Sequence, residues 1–264
     1  QGHDVVGIDF KNDERYDILE VFKTVDSGLE YCGGLKNKPE YIFHLAAIPR
    51  IGYSIEHPVK TMRNNILSTT YMLDFAHAVG IKRFIYSSSS MAGVTGPTSP
   101  YALQKATSEK EVELWSSLYG LDAVSLRYFN VYHKEQPAEG SYATAVAAWM
   151  KCIKEGYNPF ITGIGDQRRD MLHVSDAVRA NIMAMEHDGA FQGEQFEIGT
   201  GKNISLSELA SILTKHYPDV EFDVRPARPN EVMETKADAK RTKKGLGFAT
   251  KVSITKGVEE CFKK

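Results

Sequence analysis

The sequence has few cysteines, no long hydrophobic run and no block of like charge, and each absence excludes a class of protein. Its three cysteines, Cys32, Cys152 and Cys261, are far apart. This spacing argues against a disulfide framework or a cysteine zinc site and favours a reducing compartment. No apolar run reaches the roughly 18 residues of a membrane span, and no basic-then-apolar signal segment opens the chain. We therefore expect a cytoplasmic protein with no membrane partner.

The charge balance is close to neutral, which argues against a polyanionic partner. Of the 264 residues 25% are charged, and the formal net charge is -2. This balance gives no support to nucleic-acid binding, so small molecules are the expected ligands. An apolar share of 42% is enough for one large core or two unequal lobes.

Short apolar runs alternate with segments of helical periodicity in the first half of the chain. The runs lie at residues 5–8, 41–47, 84–86 and 124–131, and helical periodicity covers 65–79 and 101–119. Gly80 and Gly120 directly follow these two helical segments and are suited to end them. Strands that alternate with helices predict an α/β fold with a parallel sheet covered on both faces. More polar segments follow Tyr132, with helical patterns near 142–155, 175–185 and 205–217. They predict a smaller second lobe.

Tyr101 and Lys105 stand four residues apart at the start of a predicted helix, so their side chains lie on one helical face. An ammonium beside a phenol favours the phenolate and lowers the pKa of the tyrosine from its usual value of about 10. Such a tyrosine can act as a general base toward a substrate alcohol. The structural alternative is an ordinary exposed helix turn, because both residue types are common.

Four serines, Ser87 to Ser90, follow the predicted strand that precedes this helix. Open α/β sheets bind ligands at the carboxyl ends of their strands, where these hydroxyls fall. Ser99 and Pro100 supply an N-cap and a first-turn proline, which places Tyr101 in the opening turn. A strand-end serine and a helical tyrosine can share the proton of a sugar alcohol while a hydride leaves for a nicotinamide.

Polar or small residues near the ends of predicted elements are candidates for holding a dinucleotide. A carboxylate at a strand end accepts hydrogen bonds from the adenosine ribose and favours NAD over NADP, and small residues let a cofactor approach the backbone. Each position also has a structural reading as a loop aspartate, a tight packing site or a helix cap. The candidates are Asp9, Asp26, Leu45, Ala46, Ala47 and Asn64.

The second half of the chain offers side chains suited to a diphosphate. Asn130 ends an apolar run, and Arg169 and Arg228 lie in polar segments. A guanidinium matches phosphate oxygens with two parallel hydrogen bonds. Taken singly, each of these arginines is better explained as a solvated side chain or as the partner of an acidic residue.

In this order, the segments resemble the extended short-chain dehydrogenase/reductase family, and within it the NAD-dependent nucleotide-sugar epimerases of the UDP-glucose 4-epimerase type. The resemblance covers nearly the whole chain. It is carried by His44-Leu45-Ala46-Ala47, Asn64-Asn65, Ser87 to Ser89, Tyr101-x-x-x-Lys105, Leu126 to Tyr132, Arg168-Arg169-Asp170, Ile198 to Gly201 and Arg225-Pro226-x-Arg228-Pro229.

The resemblance implies a Rossmann-type, doubly wound parallel sheet over residues 1–132 and a smaller substrate-binding lobe over 133–264, with segments near 170–200 returning to the first domain. It implies NAD as cofactor, a nucleotide-diphosphate sugar as substrate and a homodimer formed through the helices at 65–79 and 101–119. Within the serine run, Ser89 matches the family spacing from Asn64, with Ser88 in reserve.

The resemblance also implies a role for each residue of the site. Ser89 and Tyr101 would flank the sugar hydroxyl while Lys105 binds the nicotinamide ribose. The diphosphate of the nucleotide would be held by Asn130, Arg169 and Arg228.

Two features depart from the family pattern. The family opens with a strand and a glycine turn that cradles the pyrophosphate, a segment that this sequence lacks. We therefore expect the chain to begin inside a domain, and we expect these 264 residues alone to hold NAD weakly and not to epimerise. The interval between Ser89 and Tyr101 is also about half the usual length.

Several other functions stay open at this point. A heptose 6-epimerase, a keto-sugar reductase and a non-catalytic sugar-nucleotide or dinucleotide binding relative all fit the same segments. The 4,6-dehydratases and decarboxylases of the family fit less well, since Ser90-Met91-Ala92 offers no carboxylate where those enzymes need one.

Overall fold

The computed structural model describes residues 2–9, 17–34, 38–49, 51–94, 96, 98–138, 144–227 and 232–263. The chain divides into two units, the first formed by Gln1–Arg127 with Ala184–Phe196 and the second by Tyr128–Met183 with Glu197–Lys264. The division thus falls slightly before the predicted residue 132. Within the predicted return segment 170–200, only residues 184–196 join the first unit.

The strands are short, as expected for an α/β protein. In chain order they are β1 (Tyr41–His44), β2 (Arg83–Ser89), β3 (Ala123–Tyr128), β4 (Val131–Tyr132), β5 (Phe160–Thr162), β6 (Arg168–Arg169), β7 (Leu172–His173), β8 (Gln192–Ile198), β9 (Ile204–Ser205) and β10 (Asp223–Arg225).

The helices vary in length from one turn to more than five turns. They are α1 (Ile18–Val21), α2 (Val25–Tyr31), α3 (Ile51–Glu56), α4 (Pro58–Met62), α5 (Ser68–Val79), α6 (Pro100–Tyr119), α7 (Ala145–Lys154), α8 (Val174–Met185), α9 (Leu206–His216), α10 (Ala239–Leu246) and α11 (Ile254–Phe262). Across the described part of the chain, none is both long and apolar enough to cross a membrane.

The central sheet has the strand order β1-β2-β3-β8. β1 and β2 pair in parallel, with Tyr41 opposite Arg83. A parallel pair needs a crossover connection, which α5 supplies between these two strands. Side chains such as Leu73, Phe84 and Val112, each fully buried, fill the core of this unit. The sheet and its helices make the first unit Rossmann-like, as predicted.

The helix ends follow the predicted capping residues. The Ser99 hydroxyl accepts the Ala102 N–H at 3.2 Å, and Pro100 is the first residue of α6. Gly80 and Gly120 end α5 and α6 with φ values of 67° and 68°. A left-handed residue of this kind is commonly glycine because a side chain there is strained.

The predictions of two strands are wrong, one in its existence and one in its length. Residues 5–8 are irregular, with Val5 83% exposed, because an apolar run forms a strand only where a neighbouring strand pairs with its backbone. The run at 124–131 is also not one strand. β3 ends at Tyr128, and Asn130 has a φ of 36°, a left-handed conformation that cannot continue a strand.

The buried Arg83 guanidinium ties β2 to the segment 184–189 of the same unit. It forms an ion pair with Asp122 at 2.7 Å and donates to the carbonyls of Ala184 and Gly189, each at 2.7 Å. These bonds satisfy carbonyls at and beyond the end of α8 that the helix itself leaves without donors. They hold residues 184–189 against the end of the central sheet.

Among the described residues of the second unit, six strands form three two-stranded pairs beside a separate core. β5 pairs with β10 and β4 with β7, both in parallel, whereas β6 and β9 are antiparallel. Trp149, Leu213 and Phe262 are among the most buried side chains of its core. The buried Asp170 carboxylate accepts four hydrogen bonds, from Thr200 N, Thr200 Oγ1, Gly201 N and Ala237 N.

Candidate active site

The first turns of α6 place the predicted tyrosine and lysine on its buried face. Tyr101 is 8% exposed, and its backbone N–H donates to Ser54 Oγ at 3.1 Å. Lys105 is 3% exposed, and its Nζ donates to the Ser87 carbonyl at 2.7 Å. The structure therefore ties the lysine of this helix to the serine run that ends β2.

Burial makes the protonation of Lys105 sensitive to its surroundings. Loss of hydration disfavours the ammonium and lowers the Lys105 pKa to about 7, while the negative charge of Glu109 opposes this shift. The ammonium also lies 4.7 Å from the centroid of the Tyr86 ring, within reach of a cation–π contact. Near neutral pH, small changes in charge around Lys105 therefore decide how much of it is cationic.

The hydroxyls of the serine run differ in what they already bind. Ser88 Oγ donates to the Glu109 carboxylate at 2.6 Å inside the protein. Ser89 is half-buried, and its Oγ accepts the N–H of Met91 at 3.2 Å, which leaves the hydroxyl hydrogen able to donate elsewhere. This difference favours Ser89 over Ser88 as the serine that contacts a substrate.

Two other titratable side chains near Lys105 are poor general bases. Burial raises the pKa of the Tyr86 phenol far above its usual value. Burial, followed by the positive charge of Lys105, lowers the His44 pKa to about 3, and His44 Nε2 lies 3.0 Å from Thr69 Oγ1. Both side chains stay neutral at pH 7, which leaves Tyr101 as the better candidate for the base.

The sequence reasoning missed a buried charge pair beside this site. Glu109, 3% exposed, accepts hydrogen bonds from Arg127 Nε at 2.8 Å and Nη2 at 2.6 Å. Two signals pointed to it. Glu109 follows Lys105 by four residues on the same helical face, and Arg127 is a charged residue within an apolar run, where burial requires a partner.

A cavity of about 220 Å³ gathers five of the predicted cofactor residues in the first unit. The five are Asp9, Leu45, Ala46, Ala47 and Asn64, and they share its wall with Ile8, Asp17, Ile18 and Ser68. A second cavity of about 670 Å³ is lined by Asp17 and Asn64 as well. Asp26 does not line either cavity but lies exposed in the first turn of α2, where a carboxylate favours the helix N-terminus.

A π-helical turn, Arg63–Leu67, sets the directions of two neighbouring asparagines. Asn64 lines the cavities, and its Nδ2 donates to the Lys60 carbonyl at 2.9 Å. Asn65 points inward, is 1% exposed, and binds Ile48 N at 2.7 Å and Gln104 Oε1 at 2.8 Å. Asn65 thus braces the segment after β1 against α6. Such π turns are frequent at functional sites.

These residues fit part of a dinucleotide. The Asp9 carboxylate can accept hydrogen bonds from ribose hydroxyls, and the small side chains of Ala46 and Ala47 leave the backbone after β1 accessible. The volume of 220 Å³ is below the roughly 300–1,000 Å³ typical of whole ligand pockets. It suits one portion of the cofactor rather than all of it.

The second unit holds the residues predicted to bind a diphosphate. Asn130 Nδ2 donates to the Asp170 carbonyl at 2.6 Å and to Thr235 Oγ1 at 3.3 Å, so contact with a diphosphate requires the amide to exchange a partner. Arg169 is half-buried, and its Nη1 donates to the Arg168 carbonyl at 3.0 Å. Arg228 lies outside the described residues.

Residues 1–199 match the NAD dependent epimerase/dehydratase family. The chain belongs to this family. In the part of the chain that the structure describes, no group of three or more His, Cys, Asp or Glu side chains could hold a metal ion.

Relatives of this family member include epimerases of nucleotide sugars. It is 30% identical over 236 residues to a putative UDP-glucose 4-epimerase of Methanocaldococcus jannaschii, covering 83% of this chain and 75% of the relative. The crystal structure of the Thermotoga maritima UDP-glucose 4-epimerase with UDP-glucose matches with a TM-score of 0.83 and 31% identity, covering 91% and 81%.

A third match carries both a nucleotide sugar and the cofactor. The UDP-glucuronic acid 4-epimerase of Bacillus cereus, in complex with UDP-glucuronic acid and NAD, has a TM-score of 0.80 and 25% identity. It covers 94% of this chain and 79% of that one.

Proposed function

We propose that this protein is an NAD-dependent 4-epimerase of a UDP-sugar, acting through a transient keto-sugar. One observation carries the proposal. Tyr101 and Lys105 share the buried face of α6, and the Lys105 ammonium donates to the carbonyl of Ser87 in the serine run of β2. Membership of the family and likeness to the UDP-glucose and UDP-glucuronic acid 4-epimerases support it.

In this proposal side chains of the protein transfer the proton of the sugar hydroxyl. Tyr101, as phenolate, takes the proton of the C4 hydroxyl, and Ser89 donates a hydrogen bond to the same oxygen. Lys105 stabilises the phenolate by its charge and binds the ribose of the cofactor. Bound NAD would supply the hydride acceptor and donor for the redox chemistry at C4. Tyr101 then gives the proton back.

The test is direct conversion of a sugar nucleotide. The complete gene product, supplied with NAD, should interconvert UDP-glucose and UDP-galactose, or the corresponding N-acetylhexosamine or uronic acid pair, as followed by proton NMR of the anomeric signals. NAD should not be consumed, because each cycle regenerates it. Absence of conversion for all three pairs, with NAD demonstrably bound, would favour a non-catalytic binding relative.

We also propose a cytoplasmic homodimer with α6 at its interface. Leu103, Leu114 and Leu118 lie on one side of α6 and are 52%, 47% and 64% exposed. Val59 and Met62, exposed by 67% and 48%, belong to α4, which packs against α6. The other helix predicted to lie at the interface is α5. It contributes less, because its exposed side chains include the polar Asp74 and His77. A row of exposed apolar side chains is typical of a protein interface.

Light scattering at micromolar concentration should therefore give the mass of a dimer. Replacing both Leu114 and Leu118 with Glu should shift the mass to that of a monomer, because burying charge at an apolar interface is costly. Tyr157→Glu, at a 68% exposed position of the second unit, is the matched control and should leave the dimer intact. A monomeric unmodified protein would contradict the proposed interface.

A further inference from the structure

Glu109 has a buried carboxylate held in place by three hydrogen bonds. Arg127 donates to both of its oxygens, and Ser88 donates to Oε1 at 2.6 Å. Bonds of this charge-assisted kind are short and directional, so the carboxylate has little freedom to turn. Contacts with β2 and β3, as well as its own helix, therefore fix the position of this negatively charged group.

The same carboxylate lies one helical turn from Lys105. A spacing of four residues puts both side chains on the buried face of α6, and each residue is 3% exposed. Their partners on β2 are consecutive, since Lys105 Nζ binds the Ser87 carbonyl and Glu109 binds the Ser88 hydroxyl. Little water screens two buried charges one helical turn apart, so the negative charge of Glu109 favours the ammonium of Lys105.

Two effects act on the protonation of Lys105 in opposite directions. Burial disfavours its ammonium, and the negative charge of Glu109 favours it. Arg127 binds both Glu109 oxygens, and its positive charge offsets part of the negative charge of that carboxylate. The titratable and charged groups that face this site from the surrounding elements are Tyr101 and Glu109 on α6, Tyr86 on β2, His44 on β1 and Arg127 on β3.

We propose that Glu109 is a positioning residue that raises the cationic fraction of the Lys105 side chain at neutral pH, with Arg127 limiting the strength of this effect. The consequence for turnover rests on the proposed function, in which a cationic Lys105 stabilises the Tyr101 phenolate and binds the cofactor ribose. The charge relation itself needs neither NAD nor substrate.

The test is a pH titration of the lysine Nζ signals by ¹⁵N NMR, in the whole protein without ligands. Loss of one signal in Lys105→Met identifies Lys105. In Glu109→Gln the titration midpoint of Lys105 should fall by on the order of one pH unit, because a nearby negative charge is removed. In Arg127→Gln it should rise, because the positive charge that offsets Glu109 is removed.

The opposite directions separate this proposal from a purely structural role. If the pair only supported packing, the two variants would move the midpoint the same way or not at all, and either result overturns the proposal. Glu109→Asp keeps the charge and should stay within about half a unit of the unmodified protein. Should Glu109→Gln fail to fold, an unchanged or lowered midpoint in Arg127→Gln is sufficient to overturn it.

A second measurement separates the inference from the proposed function. The basic limb of the kcat/KM profile should move to lower pH in Glu109→Gln, in parallel with the NMR midpoint. Midpoints that move as expected in a protein without epimerase activity support the inference and count against the proposed function alone.

Discussion

Replacing Tyr101 with Phe is expected to lower turnover by a factor of about 10² to 10⁴, the usual contribution of general acid–base catalysis. The change removes one hydroxyl from a side chain that is 8% exposed and leaves the ring in place. The loss should therefore appear mainly in kcat, with a small change in KM, because the proton transfer occurs only on the way to the transition state. The measurement is initial-rate epimerisation by the complete gene product at saturating NAD.

Tyr119→Phe is the matched control for this prediction. Tyr119 ends the same helix, is 50% exposed and contacts the rings of His77 and Trp115. Its turnover should stay within about twofold of the unmodified protein, as for a surface substitution. Near-normal turnover in Tyr101→Phe would refute the assignment of Tyr101 as the general base.

Replacing Arg169 with Ala is expected to weaken UDP binding by about 1.5 to 3 kcal/mol, the range for charge-assisted hydrogen bonds to a diphosphate. This corresponds to a loss of roughly 10- to 150-fold in affinity, measured by calorimetry with UDP alone. Arg228→Ala should give a similar loss, since the resemblance assigns Arg228 to the same diphosphate.

Arg168 provides the control on the same strand. Its guanidinium binds Asn203 Oδ1 at 2.9 Å and Glu208 at 2.8 Å, so its charge is already used within the second unit. Arg168→Ala removes the same net charge and should change UDP affinity by less than about 0.5 kcal/mol. Equal losses in both variants would point to a general effect of charge or folding, and no loss in Arg169→Ala would exclude the diphosphate contact.

Local sequence signals predicted the elements on which the site is built. Ser99 and Pro100 marked the start of α6 and Gly120 its end, because a cap, a fixed proline φ and a left-handed glycine act within a few residues. Local patterns also predicted α5 and β2 correctly, because periodicity and apolar runs likewise act over a few residues. This locality also explains the error at residues 5–8, where a strand depends on a distant partner that no local pattern reports.

The contacts within the site were decided by tertiary structure. The sequence could offer Ser88 and Ser89 as alternatives, but only packing determined that the Ser88 hydroxyl binds Glu109. In the same way, the π turn directed Asn64 toward the cavities and Asn65 into the core. Which way a side chain faces depends on neighbours from other elements, and those are remote in sequence.

The sequence by itself determined the α/β class, the family resemblance, and the Tyr101–Lys105 face with its serine-tipped strand, because spacing along one helix and one strand sets these features. Only the tertiary structure decided that Lys105 is buried and anchored to Ser87, and that Glu109 and Arg127 form a buried pair beside it. The physical reason is that hydration and charge proximity, which set the protonation of Lys105, arise when α6 packs on the sheet.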